Sequence, residues 1–323
     1  MDSSDANGMS LMRRVNLIFR FSYTLSFVLA SVCGVVCAVP YGAPWYVMVL
    51  VPVAVLFLAL FVNFSNDYFD HMSGIDRKVT DDRMAAKREV LSSEAMEKLY
   101  WEGNQFDTGL VSERQGRAIM AALVLIVLVL AVPVILYSGW PVIVLGLIGL
   151  MLAYFYTAPP VNLGARGLGE VAVAVSFLMM CLCSFYVVSG TVEPAVALFS
   201  VVVGILVGLM RLIDSMSANK AHLEMGEINL SLRLGEARTV TLIRSAVIVA
   251  YILVLLTCCF DLLYLALFLT VPLARGIFRT IRDAGEHWSM RLVPYSFGLA
   301  VTTEMLFIVA SAVSLLVGPI TLW

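Results

Sequence analysis

The sequence predicts an all-α polytopic membrane protein in which nine transmembrane helices form one bundle. Of its 323 residues, 61% are hydrophobic and 14% are charged, whereas ordinary soluble domains are about half apolar and a quarter charged. Apolar runs of about 20 residues recur, and a helix of that length crosses the roughly 30 Å of hydrocarbon in a bilayer. The lipid bilayer is therefore the expected partner, and a net charge of −2 gives no indication of nucleic acid.

The nine apolar runs account for residues 1–323 as a single transmembrane domain, and no strand is needed to explain any segment. The predicted spans are 16–39, 44–64, 118–137, 140–157, 169–189, 194–213, 241–259, 261–280 and 294–316. Two longer polar loops, 65–117 and 214–240, interrupt them. The six cysteines lie in or at the ends of apolar runs, without the histidine spacing of a zinc site, and we interpret them as core residues.

Local signals mark the ends of some spans. Ser112 and Gln115 have the spacing of a capping box and predict a helix start before the third span. Pro159 and Pro160 end the fourth span, because proline lacks the N–H that a helix interior needs. Glu304 lies near the middle of the ninth span, where an ionisable residue suggests a function. We favour a structural glutamate there, either protonated or bonded to a serine.

The distribution of basic residues predicts the orientation of the protein in the membrane. With nine spans, all 21 Lys and Arg fall on one side of the membrane or at its edge. The loops of the opposite side, which contain none, lie near 40–43, 138–141, 190–193 and 259–261. The positive-inside rule makes the basic side cytoplasmic. The N-terminus and both polar loops, and with them the active site, are then expected at the cytoplasmic face.

The chemistry is concentrated directly after the second span. Asn66 and Asp70 are four residues apart and Asp67 and Asp70 three apart, so a continuing helix would place each pair on one face. Gly74 allows the chain to turn, so that Asp76 can point to the same volume. Oxygen ligands at this density suit Mg2+, which keeps waters and is completed by substrate phosphates. The alternative interpretation is a solvated acidic helix end.

This pattern resembles the first aspartate-rich motif of the UbiA superfamily of intramembrane prenyltransferases. The ending Gly74-x-Asp76, followed by Asp81-Asp82-Arg83, is similar to the menaquinone branch, the 1,4-dihydroxy-2-naphthoate prenyltransferases. The resemblance implies a bundle of nine helices and a loop that lies over the cavity mouth as a cytoplasmic cap. It also implies that the motif holds Mg2+ on the diphosphate of a polyprenyl donor.

Two later segments extend the resemblance. The segment 154–170 is similar to the Tyr-Ser/Thr-x-x-Pro element of the family and the Gly-Leu-Gly-Glu that follows it. After the sixth span, Asp214 matches the first aspartate of the second family motif. Ala218 stands where the second aspartate belongs, unless a one-residue insertion brings Asn219 there, and Glu227 stands in place of a lysine. The second aspartate motif is therefore degenerate.

The resemblance assigns roles to individual residues. The implied metal ligands, of which Asp70 and Asp214 are also assigned as catalytic, are Asn66, Asp70, Asp76 and Asp214. Asp67 is either a further ligand or a hydrogen-bond partner of one. The implied substrate-binding residues are Asp67, Lys78, Arg83, Tyr156, Arg166 and Lys220. For Tyr156, the alternative is a place in the aromatic belt at the membrane interface.

The implied activity is the Mg2+-dependent transfer of a polyprenyl chain from an allylic diphosphate to an aromatic quinone precursor such as a dihydroxynaphthoate. Carboxylate-held Mg2+ and nearby basic groups would stabilise the charge that develops on the departing diphosphate. Two alternatives remain open at this point. One is a UbiA-type terpene cyclase, which closes the same donor on itself, and the other is a non-catalytic lipid-binding relative.

Overall fold

The computed structural model describes residues 18–79 except 20, residues 104–285 and residues 287–321. Apart from one isolated bridge between Arg166 and Ile228, the regular elements of these ranges are helices. They are α1 (Phe21–Ala38), α2 (Trp45–Ser73), α3 (Glu113–Ser138), α4 (Pro141–Phe155), α5 (Gly169–Ser189), α6 (Pro194–Met216), α7 (Asn219–Glu224), α8 (Leu230–Leu234), α9 (Glu236–Thr257), α10 (Val271–Asp283) and α11 (Trp288–Val317), with 3-10 helices at Val39–Tyr41 and Leu262–Thr270.

Eight helical segments in the described ranges are long and apolar enough to cross a membrane. They comprise α1, α2, α3, α5, α6, α9, α11 and the continuous segment of the second 3-10 helix with α10. The fourth predicted span corresponds to α4, which is apolar but has only 15 residues. The prediction of an all-helical membrane bundle is confirmed, with eight full-length candidate spans and one short apolar helix where nine spans were expected.

The polar loops are shorter than the sequence predicts. Helix α2 runs nine residues past the predicted end at 64, because Gly74, in the left-handed region at φ 81°, is the first residue to break it. Its N–H donates to the carbonyl oxygen of Asp70 at 2.9 Å. Helix α3 begins at Glu113, five residues before the predicted start at 118, and Ser112 and Gln115 form the predicted capping box. Polar residues that were assigned to a loop therefore extend two helices beyond their apolar runs.

The second polar loop is also partly helical. Helix α6 extends to Met216, so Asp214 lies in its last turn and not in a loop. The short helices α7 and α8 follow, and α9 begins at Glu236 where 241 was predicted. This compact arrangement folds the loop back onto the end of the bundle.

Helix α6 lies at the centre of the bundle and packs against α5, α9 and α11. Close approach between helices requires small residues, as at Gly204, where an added Cβ would lie 2.6 Å from the backbone oxygen of Ala174. Between α1 and α11, the Ser26 hydroxyl donates to Oε2 of the fully buried Glu304 at 2.8 Å. This is the serine bond that the structural interpretation of Glu304 requires.

The loops without Lys or Arg meet at one end of the bundle. The Ser138 hydroxyl donates to the carbonyl oxygen of Val187 at 2.6 Å. The backbone N–H of Leu262 donates to the carbonyl oxygen of Ile320 at 2.8 Å. The ends of α2 and α6 that carry the aspartate motifs lie at the opposite, basic end. The assignment of the basic end to the cytoplasm stays a prediction.

Cysteine labelling in intact cells tests this orientation. In a background carrying Cys259→Ser, which removes an exposed native thiol, Thr191→Cys is expected to react with a membrane-impermeant maleimide. Ala237→Cys is expected to react only after the cells are broken. Both positions are exposed and lie at opposite ends of the bundle, so that the sidedness alone distinguishes them. If Ala237→Cys but not Thr191→Cys were labelled from outside, the basic end would lie outside the cell, and the predicted orientation would be wrong.

Candidate functional site

A cavity of about 540 Å³ lies between α2, α3, α4, α5, α6 and the chain that follows α4. Its walls are apolar along most of its depth. On α2 the lining residues extend from Val51 to Asp70, a separation of 19 residue steps that corresponds to about 28 Å of helix. The polar lining residues of the basic end include Asn66, Asp70, Asp76, Tyr156, Arg211, Asp214, His222 and Glu227. The cavity therefore combines a charged end with an apolar interior, and the two together extend over nearly the thickness of the hydrocarbon layer.

The first aspartate motif reaches the cavity because α2 continues through it. Asn66 and Asp70 both line the wall, and the Asn66 amide donates to Oδ2 of Asp70 at 2.7 Å. This confirms the shared helix face that their spacing of four predicts. Asp67 differs: it is fully buried, with 0% of its surface exposed, and lies behind the cavity wall. Its predicted role in substrate binding remains untested.

Asp76 is held by Asn104, a residue that the sequence did not single out. The buried Asn104 amide donates to Oδ2 of Asp76 at 2.7 Å and to the backbone oxygen of Asp67 at 2.6 Å. Its own Oδ1 accepts the backbone N–H of Phe106 at 2.9 Å. The later part of the first polar loop thus returns to the end of α2 and fixes a predicted metal ligand. The sequence does not reveal this contact because Asn104 and Asp76 are 28 residues apart.

The second motif reaches the same cavity from the end of α6. Arg211 lies one turn before Asp214 and donates to its Oδ2 at 3.0 Å. The Nε of Arg211 also donates to the hydroxyl of Tyr156 at 2.7 Å. The Tyr156 hydroxyl therefore acts as the acceptor in its bond with the guanidinium. Tyr156 lines the cavity, as predicted, and Arg211 is a site residue that the sequence reading missed.

Glu170, the last residue of the Gly-Leu-Gly-Glu element, fastens the end of α6. It is buried, and its Oε1 accepts the hydroxyl of Ser215 at 2.7 Å and the backbone N–H of Leu230 at 3.3 Å. Asn229 adds a bond from its amide to the backbone oxygen of Ser215 at 3.3 Å. These contacts fix Asp214, the neighbour of Ser215, relative to α5 and α8.

The predicted basic residues lie outside the described wall of the cavity. Lys78 pairs with Oε2 of Glu224 at 2.6 Å, and this hydrogen bond lowers the pKa of Glu224. Arg166 donates to the backbone oxygen of Pro160 at 2.8 Å, and Lys220 lies on α7. Within the described ranges, Arg211 is the only Lys or Arg in the wall. The substrate-binding roles of the other three stay predictions.

Arg83 and most of the predicted cap lie outside the described residues. The described part that follows, from Asn104 to Val111, packs on the end of α2 through Phe106. The Phe106 ring contacts Phe64 and Tyr68 with centroid distances of 5.4 and 5.5 Å. A cap over the cavity mouth remains a prediction.

His222 and Glu227 are further lining residues to which the sequence assigned no role. They belong to the loop after α6, and Nδ1 of His222 lies 3.0 Å from Oε2 of Glu227. Their only sequence signal is that Glu227 replaces a lysine in the second family motif.

Solved structures share this architecture at 14% sequence identity. A UbiA homolog from Archaeoglobus fulgidus bound to GPP and Mg2+ has a TM-score of 0.61 over 94% of this chain and 100% of that one. A structure described as digeranylgeranylglyceryl phosphate synthase has a TM-score of 0.64 over 94% of this chain and 99% of that one. These likenesses establish the fold.

Sequence comparisons agree with the fold. A 1,4-dihydroxy-2-naphthoate octaprenyltransferase of Bacillus subtilis (strain 168) is 27% identical over 128 residues, or 39% of this chain. The match spans only 41% of that relative. A model of the UbiA prenyltransferase family matches residues 106–292. Because that match covers more than half of the sequence and the fold agrees, this chain belongs to the UbiA prenyltransferase family.

Proposed function

We propose that this protein transfers a polyprenyl chain from an allylic diphosphate to an aromatic quinone precursor, such as a dihydroxynaphthoate, with Mg2+ as cofactor. The observation that carries the proposal is the cavity, in which two acidic motifs and one guanidinium meet at the end of a long apolar interior. A substrate with a diphosphate head and a hydrocarbon chain matches both parts. Family membership and the names of the naphthoate and GPP-bound relatives support the same reaction.

The residues of the cavity suit a hard divalent cation. Asn66, Asp70, Asp76 and Asp214 present oxygen donors to one volume, which is the ligand chemistry of Mg2+. In the described chain no three acidic, histidine or cysteine side chains form a closed ligand group. When bound, Mg2+ would neutralise charge on the departing diphosphate.

The chain's own groups would contribute in three ways. Arg211 places a guanidinium at the polar end, where negative charge develops as the carbon–oxygen bond of the donor breaks. Tyr156 and Asp214 orient that guanidinium through the two hydrogen bonds described above. The apolar walls exclude water, so that the aromatic ring and not water attacks the allyl cation.

Product analysis with a radiolabelled prenyl diphosphate tests the proposal. Membranes that contain the protein are expected to form a prenylated aromatic product only when Mg2+ and a dihydroxynaphthoate are both added. Membranes without the protein are the control. Labelled terpenoids that appear without any acceptor would identify a cyclase instead. Binding of the diphosphate without any product, over a panel of aromatic acceptors, would identify a lipid-binding relative.

A further inference from the structure

The second motif lacks a carboxylate at position 218, and the structure shows what surrounds that position. Ala218 is 3% exposed and packs in a small apolar cluster with Ile75, Val79 and Ala221. This cluster joins the segment after α2 to the segment after α6. Ala218 also lines the cavity, so position 218 presents a methyl group to the site where the family pattern has a carboxylate.

Another carboxylate lines the same cavity nearby in the chain. Glu227 follows Gly226, which adopts a left-handed conformation at φ 73° and turns the chain back after α7. The backbone N–H of Glu227 donates to the carbonyl oxygen of His222 at 2.9 Å, and that of Ile228 donates to Ala165 at 3.0 Å. Residue 227 is thereby held between α7 and the segment after α4, with its side chain at the wall of the cavity.

His222 fixes the Glu227 side chain. Its Nδ1 lies 3.0 Å from Oε2, and both side chains are largely buried, with 13% and 19% exposed. An ionised carboxylate only accepts hydrogen bonds, so the tautomer of His222 that carries its proton on Nδ1 is the one that can donate to Glu227. Over the described part of the chain, Oε1 of Glu227 makes no hydrogen bond. One oxygen is thus oriented by a histidine, and the other remains available as a ligand, as is usual for metal-binding carboxylates.

Acidic side chains outnumber basic ones in the described wall of the cavity, which favours binding of a cation. Asp70, Asp76, Asp214 and Glu227 all line it, and Arg211 is the only Lys or Arg among the described lining residues. Carboxylates that share a poorly solvated site repel each other unless a positive charge compensates them.

We propose that Glu227, positioned by His222, is the metal-binding carboxylate that compensates for the alanine at 218. This inference rests on the proposed function, since it concerns the same cation and the same diphosphate. It explains why both positions depart from the family pattern: the carboxylate has moved from the turn between α6 and α7 to the turn after α7.

Binding of Mn2+, followed by electron paramagnetic resonance on the purified protein in detergent with inorganic diphosphate, tests the proposal without any turnover. Glu227→Gln is expected to weaken Mn2+ binding at least tenfold. His222→Ala, which removes only the positioning group, is expected to weaken it by about 10- to 100-fold. Glu236→Gln is the matched control, because Glu236 is exposed at the same end of the bundle and lies outside the cavity wall. Gel filtration establishes that each variant is folded.

The results separate this proposal from the proposed function. Wild-type Mn2+ affinity in Glu227→Gln, together with loss of binding in Asp70→Ala, would overturn the role of Glu227 and leave the proposed function standing. Failure of the wild-type protein to bind Mn2+ with diphosphate would overturn both. If Glu236→Gln weakened Mn2+ binding as much as Glu227→Gln, the loss would be an effect of general surface charge. That result would also overturn the assignment of Glu227.

Discussion

Asp70→Ala is expected to lower diphosphate-dependent turnover by about a hundredfold to a thousandfold and to leave the protein folded. Asp70 lines the polar end of the cavity and accepts a hydrogen bond from Asn66. Asp70 is a proposed ligand of the Mg2+ that would stabilise the charge on the departing diphosphate. Loss of one preorganised group at such a site typically costs about 2.7–4 kcal/mol of transition-state stabilisation. Each 1.36 kcal/mol corresponds to a tenfold change in rate.

The measurement is product formation from a labelled prenyl diphosphate at saturating Mg2+. Asp283→Ala is the control, because Asp283 is exposed at the end of α10 and lies outside the cavity wall. The midpoint of thermal unfolding in detergent distinguishes a lost ligand from a lost fold. Turnover of Asp70→Ala within tenfold of wild type would rule out the proposed diphosphate site.

Arg211→Lys is expected to lower kcat/KM by about 10- to 100-fold. The guanidinium donates to Tyr156 through Nε and to Asp214 through a terminal nitrogen, and an ammonium group cannot make both bonds in the same geometry. A hydrogen bond to a charged group contributes about 1.5–3 kcal/mol, which corresponds to this range of rates.

Steady-state kinetics of Arg211→Lys and Tyr156→Phe would separate the two roles of this group. Tyr156→Phe keeps the guanidinium and removes one of its partners, so a smaller loss is expected than for Arg211→Lys. Arg238→Lys, an exposed substitution at the same end of the bundle, is the control. If Arg211→Lys had wild-type kinetics, the two hydrogen bonds of the Arg211 guanidinium to Tyr156 and Asp214 would have no part in catalysis.

The sequence predicts features that depend on local periodicity. The order of helices, the capping box at Ser112 and the shared face of Asn66 and Asp70 all follow from short-range spacing, and the structure contains them. The ends of α2 and α6 were placed too early because they were assigned by apolar length. Helical hydrogen bonding continues through polar residues until Gly74 stops it on α2.

Contacts between distant segments could not be predicted in this way. Asn104 reaches Asp76 from 28 residues further along the first polar loop, and Glu170 reaches Ser215 from another helix. Lys78 pairs with Glu224, a contact that its place in the sequence does not indicate, and its role at the diphosphate stays a prediction. The sequence shows which charged residues are candidates for a site. Which of them line the same cavity depends on how the helix ends pack.

The short helix α4 has a consequence for how a substrate would enter. At 1.5 Å per residue its 15 residues extend about 22 Å, less than the roughly 30 Å of hydrocarbon, and beyond Phe155 irregular chain takes over the wall. Irregular backbone is stable at membrane depth where it lines a polar cavity. The charged end of the cavity would then lie level with the lipid headgroups. A prenyl diphosphate dissolved in the bilayer would hold its head group at that depth, so its supply would depend on partitioning into the membrane and not on its aqueous concentration.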